Sequence, residues 1–309
     1  MKMSVEEIKA FEKKIKLNDM PYAVIIEPTN WCNLRCKMCM NSTMKRPKGY
    51  MSRQLFEKII DELAERCPNV SLWLNGLGEP LLCKELPEWI RYAVDKGLTN
   101  ISVNTNAMLL TKEMADALVK SGLHAIVCGV DAFDKDTYES IRIGGKKEVV
   151  YENIEYLLKR VSETEGCKLK VEVQQIEMEY NKSEQEAFIN YWREKGAYIK
   201  FIAYQTWLGY GEKQWEIVTE RYACSKCNMF QIFWDGRVPT CGCDYNIMSE
   251  AGNISEQSIY EVWQKIRKEF SELHVQHRFD ELPEWCQKCT DWIMYESKVY
   301  DPAGNLLRK

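Results

Sequence analysis

Cys32, Cys36 and Cys39 set three thiols at spacings of four and three residues, directly after the apolar run Ala23-Val24-Ile25-Ile26. Thiolates grouped this tightly select zinc or iron–sulfur over hard cations, and three cysteines leave one metal position for a ligand that is not cysteine. Six more thiols fall in the last third of the chain: Cys224, Cys227, Cys241, Cys243, Cys286 and Cys289. They include two C-x-x-C pairs, a spacing that suits an iron–sulfur cluster and a zinc ribbon equally. Cys67, Cys83 and Cys167 lie on or beside predicted helices and Cys128 in a predicted strand, where a buried inert thiol is the ordinary meaning.

Other residues with chemistry to offer follow predicted strands. Gly76 and Gly78 allow close backbone approach, and the adjacent Glu79 carboxylate suits an ammonium group. Asn104 and Asn106 flank Thr105 after the next strand, and Asp131 follows the one after that. Short polar side chains at strand ends suit ribose hydroxyls and carboxylates; they equally suit turns and helix caps.

The elements that must position these residues alternate. Stretches at 23–26, 70–74, 101–104, 125–130, 169–173 and 198–202 read as strands, those at 23–26 and 125–130 as buried ones, and helical periodicity fills the intervals. Ser52 caps a helix with Phe56, Ile59, Ile60 and Leu63 on one face, Thr111 caps another, and Ser183-Glu184-Gln185-Glu186 has the form of a capping box. Six strands alternating with helices predict a parallel sheet with right-handed crossovers, either open or closed into a barrel. Ile8, Phe11 and Ile15 mark a short N-terminal helix over residues 1–20, expected on the barrel rim. Beyond residue 205 the alternation stops. Gln231 to Cys241 reads as a hairpin around Asp235-Gly236, and Ser258 to Glu261 caps a further helix.

With 309 residues and 45% apolar content the chain can bury a substantial core. A formal charge of -4 shows no basic surplus, so no nucleic acid is expected as partner. The first residues lack the apolar core of a signal peptide, and no apolar run is long enough for a bilayer. Thirteen cysteines without a secretory signal point to a reducing, cytoplasmic setting and no membrane.

Cys-x-x-x-Cys-x-x-Cys in the setting Thr29-Asn30-Trp31-Cys32-Asn33-Leu34-Arg35-Cys36 resembles the signature of radical S-adenosylmethionine (SAM) enzymes. The resemblance implies an α/β fold, a partial (β/α)6 TIM-like barrel over residues 21–205. It implies a 4Fe-4S cluster on Cys32, Cys36 and Cys39 whose open iron chelates SAM. Gly76, Gly78 and Glu79 match the family's glycine–glutamate segment for the SAM amino group. Asn104, Asn106 and Asp131 are candidates for the same cofactor, and Tyr138 to Arg142 resembles a later segment that makes Arg142 another. Met38 departs from the aromatic residue often found beside the third cysteine.

Residues 206–309 resemble the auxiliary-cluster extension called SPASM, or twitch in its one-cluster form: a small domain of β-hairpin plus helix. Gly236 followed five residues later by Cys241 matches its entry motif, and Cys286/Cys289 its paired half-site. The longer form has two more cysteines where this chain carries Tyr295 and Val299. One auxiliary 4Fe-4S cluster is expected on Cys224, Cys241, Cys286 and Cys289, with Cys227 as the alternative to Cys224. Cys227 and Cys243 are also candidate hydrogen-atom donors to a substrate radical. Trp207, Tyr210, Trp215 and Trp234 stand near this junction without an assigned role.

The implied activity is reductive cleavage of SAM to a 5′-deoxyadenosyl radical that abstracts a substrate hydrogen. Electrons come from a flavodoxin- or ferredoxin-type donor. The substrate is expected to be a small sugar- or cyclitol-like molecule, oxidised or epimerised. The alternatives are a ribosomal peptide that is epimerised or crosslinked, and a non-catalytic iron–sulfur carrier.

Overall fold

The computed structural model describes residues 5–208, 220–292 and 297–308. After helix α1 (Val5–Glu12), five strand–helix units and a sixth strand follow: β1 (Ala23–Ile26), α2 (Arg53–Arg66), β2 (Ser71–Leu74), α3 (Leu86–Asp95), β3 (Ile101–Thr105), α4 (Lys112–Val119), β4 (Ala125–Gly129), α5 (Lys135–Ile141) and α6 (Lys147–Glu163), β5 (Lys170–Glu177), α7 (Gln185–Glu194) and β6 (Tyr198–Ala203). Strands β1 to β6 pair in sequence order and all in parallel.

A parallel sheet covered by helices must be apolar on both faces, and every residue of β4 is buried accordingly. The Ser52 hydroxyl accepts from the Leu55 N–H and starts α2, which turns Phe56, Ile59, Ile60 and Leu63 inward with no exposure. Full burial of each such side chain contributes about 1.5–3 kcal/mol. Thr111 caps α4 in the same way.

The predicted capping box at Ser183 does not form. Residues Glu179–Glu184 make a 3-10 turn, and α7 begins at Gln185 without a side-chain cap. The Glu184 carboxylate has better use elsewhere: it accepts from the N–H groups of Phe133 and Asp134 at 2.8 and 2.9 Å, closing the entry to α5.

The C-terminal segment continues with β7 (Met229–Ile232), β8 (Arg237–Pro239), β9 (Glu250–Asn253), α8 (Ile259–Ile266), a π-helical turn at Arg267–Ser271, α9 (Glu272–Val275), α10 (Glu284–Gln287), β10 (Lys298–Tyr300) and β11 (Leu306–Arg308). Three of these strands join the main sheet. Its order is β11-β10-β6-β5-β4-β3-β2-β1-β7, so β7 pairs in parallel with β1 while β10 pairs antiparallel with β6. An open barrel leaves two edges with unpaired backbone groups, and the C-terminal segment covers both.

That demand also reshapes the predicted hairpin. The Asp235-Gly236 turn forms, with Gly236 at φ +85° and its N–H on the Phe233 carbonyl at 2.9 Å. β7 pairs with β1 and β8 with β9, and the turn between β7 and β8 is closed by the Phe233 N–H on the Arg237 carbonyl at 2.9 Å. The loop between β8 and β9 carries Cys241 and Cys243. A Ser258–Glu261 capping box opens α8.

Helix α1 does not sit on the barrel rim. Ile8, with Phe11 and Ile15, packs against Tyr222, Cys224, Cys227 and Trp292, where apolar surface beside the C-terminal thiols needs covering. Among the described residues no helix is long and apolar enough to cross a membrane.

Candidate active site

The Cys32–Cys39 loop leaves the C-terminal end of β1 and is fixed from several sides. Thr29 Oγ1 donates to the Gly49 carbonyl at 2.7 Å, and the Asn30 side chain bridges the Pro47 carbonyl and the Gly49 N–H. The N–H groups of Arg35 and Lys37 bond the carbonyls of Ile143 and Ile141, pinning the loop to the end of α5. Backbone N–H groups of Leu34 and Asn41 point at the sulfurs of Cys32 and Cys39, each at 3.4 Å. Such donors favour thiolate over thiol.

Burial pushes all three thiols up, Cys36 to about 12, while the Arg142 guanidinium pulls each one back. These sulfurs need a cation to ionise at neutral pH.

The glycine segment presses directly on this loop. A Cβ on Gly78 would lie 2.0 Å from the Thr29 carbonyl oxygen, and one on Gly76 would lie 2.7 Å from the Glu27 side chain. The Glu79 N–H bonds the Trp31 carbonyl at 2.8 Å. The buried Glu79 carboxylate accepts from Thr105 Oγ1 and the Asn106 N–H, both at 2.7 Å, and from the Leu81 N–H at 3.1 Å. Burial pushes its pKa up, and these hydrogen bonds oppose that. A carboxylate has about four acceptor sites, so one is left for a ligand. Asn106 Nδ2 reaches Asn33 Oδ1 at 2.8 Å, tying the end of β3 to the thiol loop.

Asp131 is placed differently from the sequence expectation. It is fully buried at φ +68° and takes Arg142 on one oxygen at 2.6–2.7 Å, while the Ile176 N–H donates to the other at 2.7 Å. Its carboxylate is therefore engaged by protein, and it orients Arg142. Burial works against the Arg142 charge, but Asp131 and the Cys36 thiol outweigh it and hold the guanidinium firmly protonated. Gly129 makes the room: a Cβ there would lie 2.3 Å from Arg142 Nη2.

One cavity of about 370 Å³ gathers most of these groups. Its lining brings Cys32, Cys36 and Cys39 together with Gly76, Gly78, Glu79, Asn104, Asn106 and Arg142. Lys226, Cys243, Tyr245 and Trp207 line it too, and Tyr245 and Trp207 pack in one small apolar cluster with Cys39. Asp131, Cys227 and Trp234 are not in its lining. Trp234 instead covers Gly49, and Tyr210, Trp215 and Tyr295 lie outside the described residues. The side-chain oxygens of Asn75 and Asn104 are buried without a hydrogen-bond partner, and both residues line this cavity. Orphaned acceptors facing a cavity call for a donor-bearing ligand.

The second thiol group gathers behind the β8–β9 loop. Cys224, Cys227, Cys243, Cys286 and Cys289 are buried and Cys241 half-buried. Burial pushes Cys224 and Cys289 up to about 12, and both thiols feel Cys243. Cys243 is held below the usual thiol range by the Cys241 side chain and the Lys226 ammonium, whose Nζ lies 3.3 Å from its sulfur. Cys227 packs under Cys224 beside Trp292. Cys67, Cys83, Cys128 and Cys167 pack in or against the main apolar core as expected.

Several functional positions escape sequence reasoning. Glu27 and Arg46 form a fully buried ion pair, and Arg46 Nε also bonds the Tyr245 carbonyl at 2.6 Å. A lone carboxylate directly after an apolar strand was the available signal. Asn75, Lys226 and His274 gave none.

The comparisons with known proteins agree with this geometry. Residues 26–168 match the radical SAM superfamily and residues 224–290 the iron–sulfur cluster-binding SPASM domain. A tungsten-containing aldehyde ferredoxin oxidoreductase cofactor-modifying protein of Pyrococcus furiosus is 33% identical over 107 residues, 34% of this chain and 30% of that protein. A probable GTP 3′,8-cyclase of Methanococcus maripaludis is 31% identical over 174 residues, 56% of each chain. The match thus spans between three tenths and just over half of these relatives.

Among solved structures, BtrN in complex with AdoMet and 2-DOIA superposes with a TM-score of 0.60 at 17% identity, over 87% of this chain and 93% of that one. Streptococcus suis SuiB bound to its precursor peptide SuiA gives 0.64 at 15%, over 84% and 67%. These two likenesses show the fold. The thiol triad, the glycine–glutamate wall and the orphaned acceptors fit SAM and its cluster, and the chain carries a radical SAM domain over residues 26–168 followed by an iron–sulfur cluster-binding SPASM domain over residues 224–290.

Proposed function

We propose that the protein is a radical SAM oxidoreductase acting on a small polar molecule of sugar or cyclitol type, with one auxiliary cluster as electron acceptor. The observation that carries this reading is one cavity whose lining holds Cys32, Cys36 and Cys39 together with Cys243, the neighbour of the proposed auxiliary ligand Cys241, so a bound molecule stands beside both thiol groups. When bound, SAM and its cluster would supply a 5′-deoxyadenosyl radical, and the auxiliary cluster an electron sink.

The chain's own residues bind and orient. Cys32, Cys36 and Cys39 hold the SAM-chelating cluster; Cys224, Cys241, Cys286 and Cys289 hold the auxiliary one. Gly76 and Gly78 let the backbone approach SAM, Glu79 offers its remaining acceptor site to the SAM ammonium, and Arg142 offers donors beside the thiols. Asn104 and Asn75 accept from hydroxyl groups. Electrons enter from a flavodoxin- or ferredoxin-type donor. The second reading, peptide modification, is supported by the fold likeness to SuiB with its precursor peptide. Cys243 stands in the cavity wall, the place an epimerising hydrogen-atom donor needs, but it can return a hydrogen atom only as a thiol, and the Cys241 side chain and the Lys226 ammonium favour its thiolate.

Anaerobic turnover in deuterated water separates the outcomes. Oxidation predicts product two hydrogens lighter without solvent label at carbon. Deuterium at the reacting carbon with unchanged oxidation state would overturn it in favour of epimerisation.

A further inference from the structure

His274 has no exposure and lies between two groups of the auxiliary thiol site. Its Nδ1 accepts the backbone N–H of Cys224 at 3.4 Å, and its Nε2 stands 3.5 Å from the Cys286 sulfur. A neutral imidazole carries one proton, and a nitrogen that accepts an N–H cannot hold it. The proton therefore sits on Nε2 and is donated to Cys286. The same sulfur meets Arg221 Nη2 at 3.4 Å. Arg221 is itself fixed, with Nη1 on the carbonyls of Cys286 and Gln287 at 2.9 and 2.8 Å. Phe270 packs edge-on against the imidazole at 4.9 Å and holds its ring plane.

We infer that His274 and Arg221 are positioning residues whose two N–H donors on Cys286 Sγ raise the reduction potential of the auxiliary cluster. Hydrogen bonds to a ligating sulfur stabilise the more negative, reduced state, and donors of this kind are one of the protein's controls over such potentials. A higher potential suits a site that takes an electron from a substrate radical. The inference rests on the reading of Cys286 as a cluster ligand.

The test uses the full-length chain with Cys32, Cys36 and Cys39 replaced by Ala, reconstituted anaerobically, so that only auxiliary iron remains. A redox titration followed by electron paramagnetic resonance gives the midpoint potential. His274→Phe and Arg221→Met are each expected to move it to a more negative value, and the double variant further still, at unchanged iron and sulfide content. Arg221→Lys, which keeps a charged donor, recovers part of the shift. An unchanged midpoint in loaded single variants overturns the inference. If His274→Phe loses iron, Arg221→Met decides; loss from both makes the two residues structural and overturns it too. Cys286→Ala in the same background checks the underlying reading separately: retention of the full auxiliary signal removes Cys286 from the ligand set, and the inference with it.

Discussion

Arg46 closes on Glu27 through two parallel hydrogen bonds, Nη1 to Oε1 and Nη2 to Oε2, each 2.9 Å, with both residues buried. The pair joins four parts of the molecule. Glu27 ends β1 and accepts from the Leu77 N–H at 3.3 Å in the glycine segment. Arg46 belongs to the thiol loop, bonds the Tyr245 carbonyl of the auxiliary region, and stacks on Phe233 at 3.6 Å. The thiol loop, the glycine segment and the auxiliary region are thus held in register by one ion pair.

Removing one partner of this pair is predicted to be severe. Glu27→Gln leaves an uncompensated buried cation and destabilises by about 3–5 kcal/mol, the usual result of breaking a buried pair. Replacing both residues with Met is predicted to cost less than the sum of the single changes, because the desolvation of two charges disappears with them. Denaturant melts of the four proteins, with equal iron loading, check this.

Gly78→Ala is predicted to abolish SAM cleavage, since its Cβ meets backbone on the thiol loop and nothing flexible can yield. Gly97→Ala is the control. Gly97 has φ +97° with nothing within 4 Å, so the change strains only the backbone, at about 1–2 kcal/mol. Cleavage should survive at Gly97 and fail at Gly78.

The sheet was legible because β1 and β4 are uninterrupted apolar runs, as strands buried on both faces must be, and because β2, β3, β5 and β6 carry alternating apolar residues at regular intervals between helical segments. The thiol loop and glycine segment were legible because they are contiguous. What spacing cannot show is which distant chain covers an edge. Nothing local in Met229–Ile232 says that it pairs with Ala23–Ile26 across about two hundred residues. Asp131 misled for a related reason: its position at a strand end suits a ligand, and only the fold reveals Arg142 and Ile176 on its two oxygens.

Asp131→Asn is predicted to weaken SAM binding without emptying the thiol site. The guanidinium loses its ionic partner and its orientation, and a hydrogen bond to a charged group contributes about 1.5–3 kcal/mol. The expected readout is an apparent Kd for SAM raised roughly 10- to 100-fold, with iron and sulfide content equal to the parent. Iron loss in step with affinity would show that Asp131 supports the thiol loop instead.

Thr105→Val removes one of three donors to Glu79 while keeping the shape. It is predicted to destabilise by about 0.5–1.5 kcal/mol and to raise the KM for SAM more than it lowers kcat. Equal kcat and KM in loaded variant and parent would separate the Glu79 carboxylate from SAM.

The most direct measurement is 5′-deoxyadenosine formation by the anaerobically reconstituted protein given SAM and a strong reductant, beside the Cys32→Ala, Cys36→Ala, Cys39→Ala triple variant. The account predicts that the parent makes 5′-deoxyadenosine and methionine in equal amounts. The triple variant should make none while keeping the iron of the auxiliary site. Fully loaded parent protein that releases no 5′-deoxyadenosine, or a triple variant that still does, would contradict it.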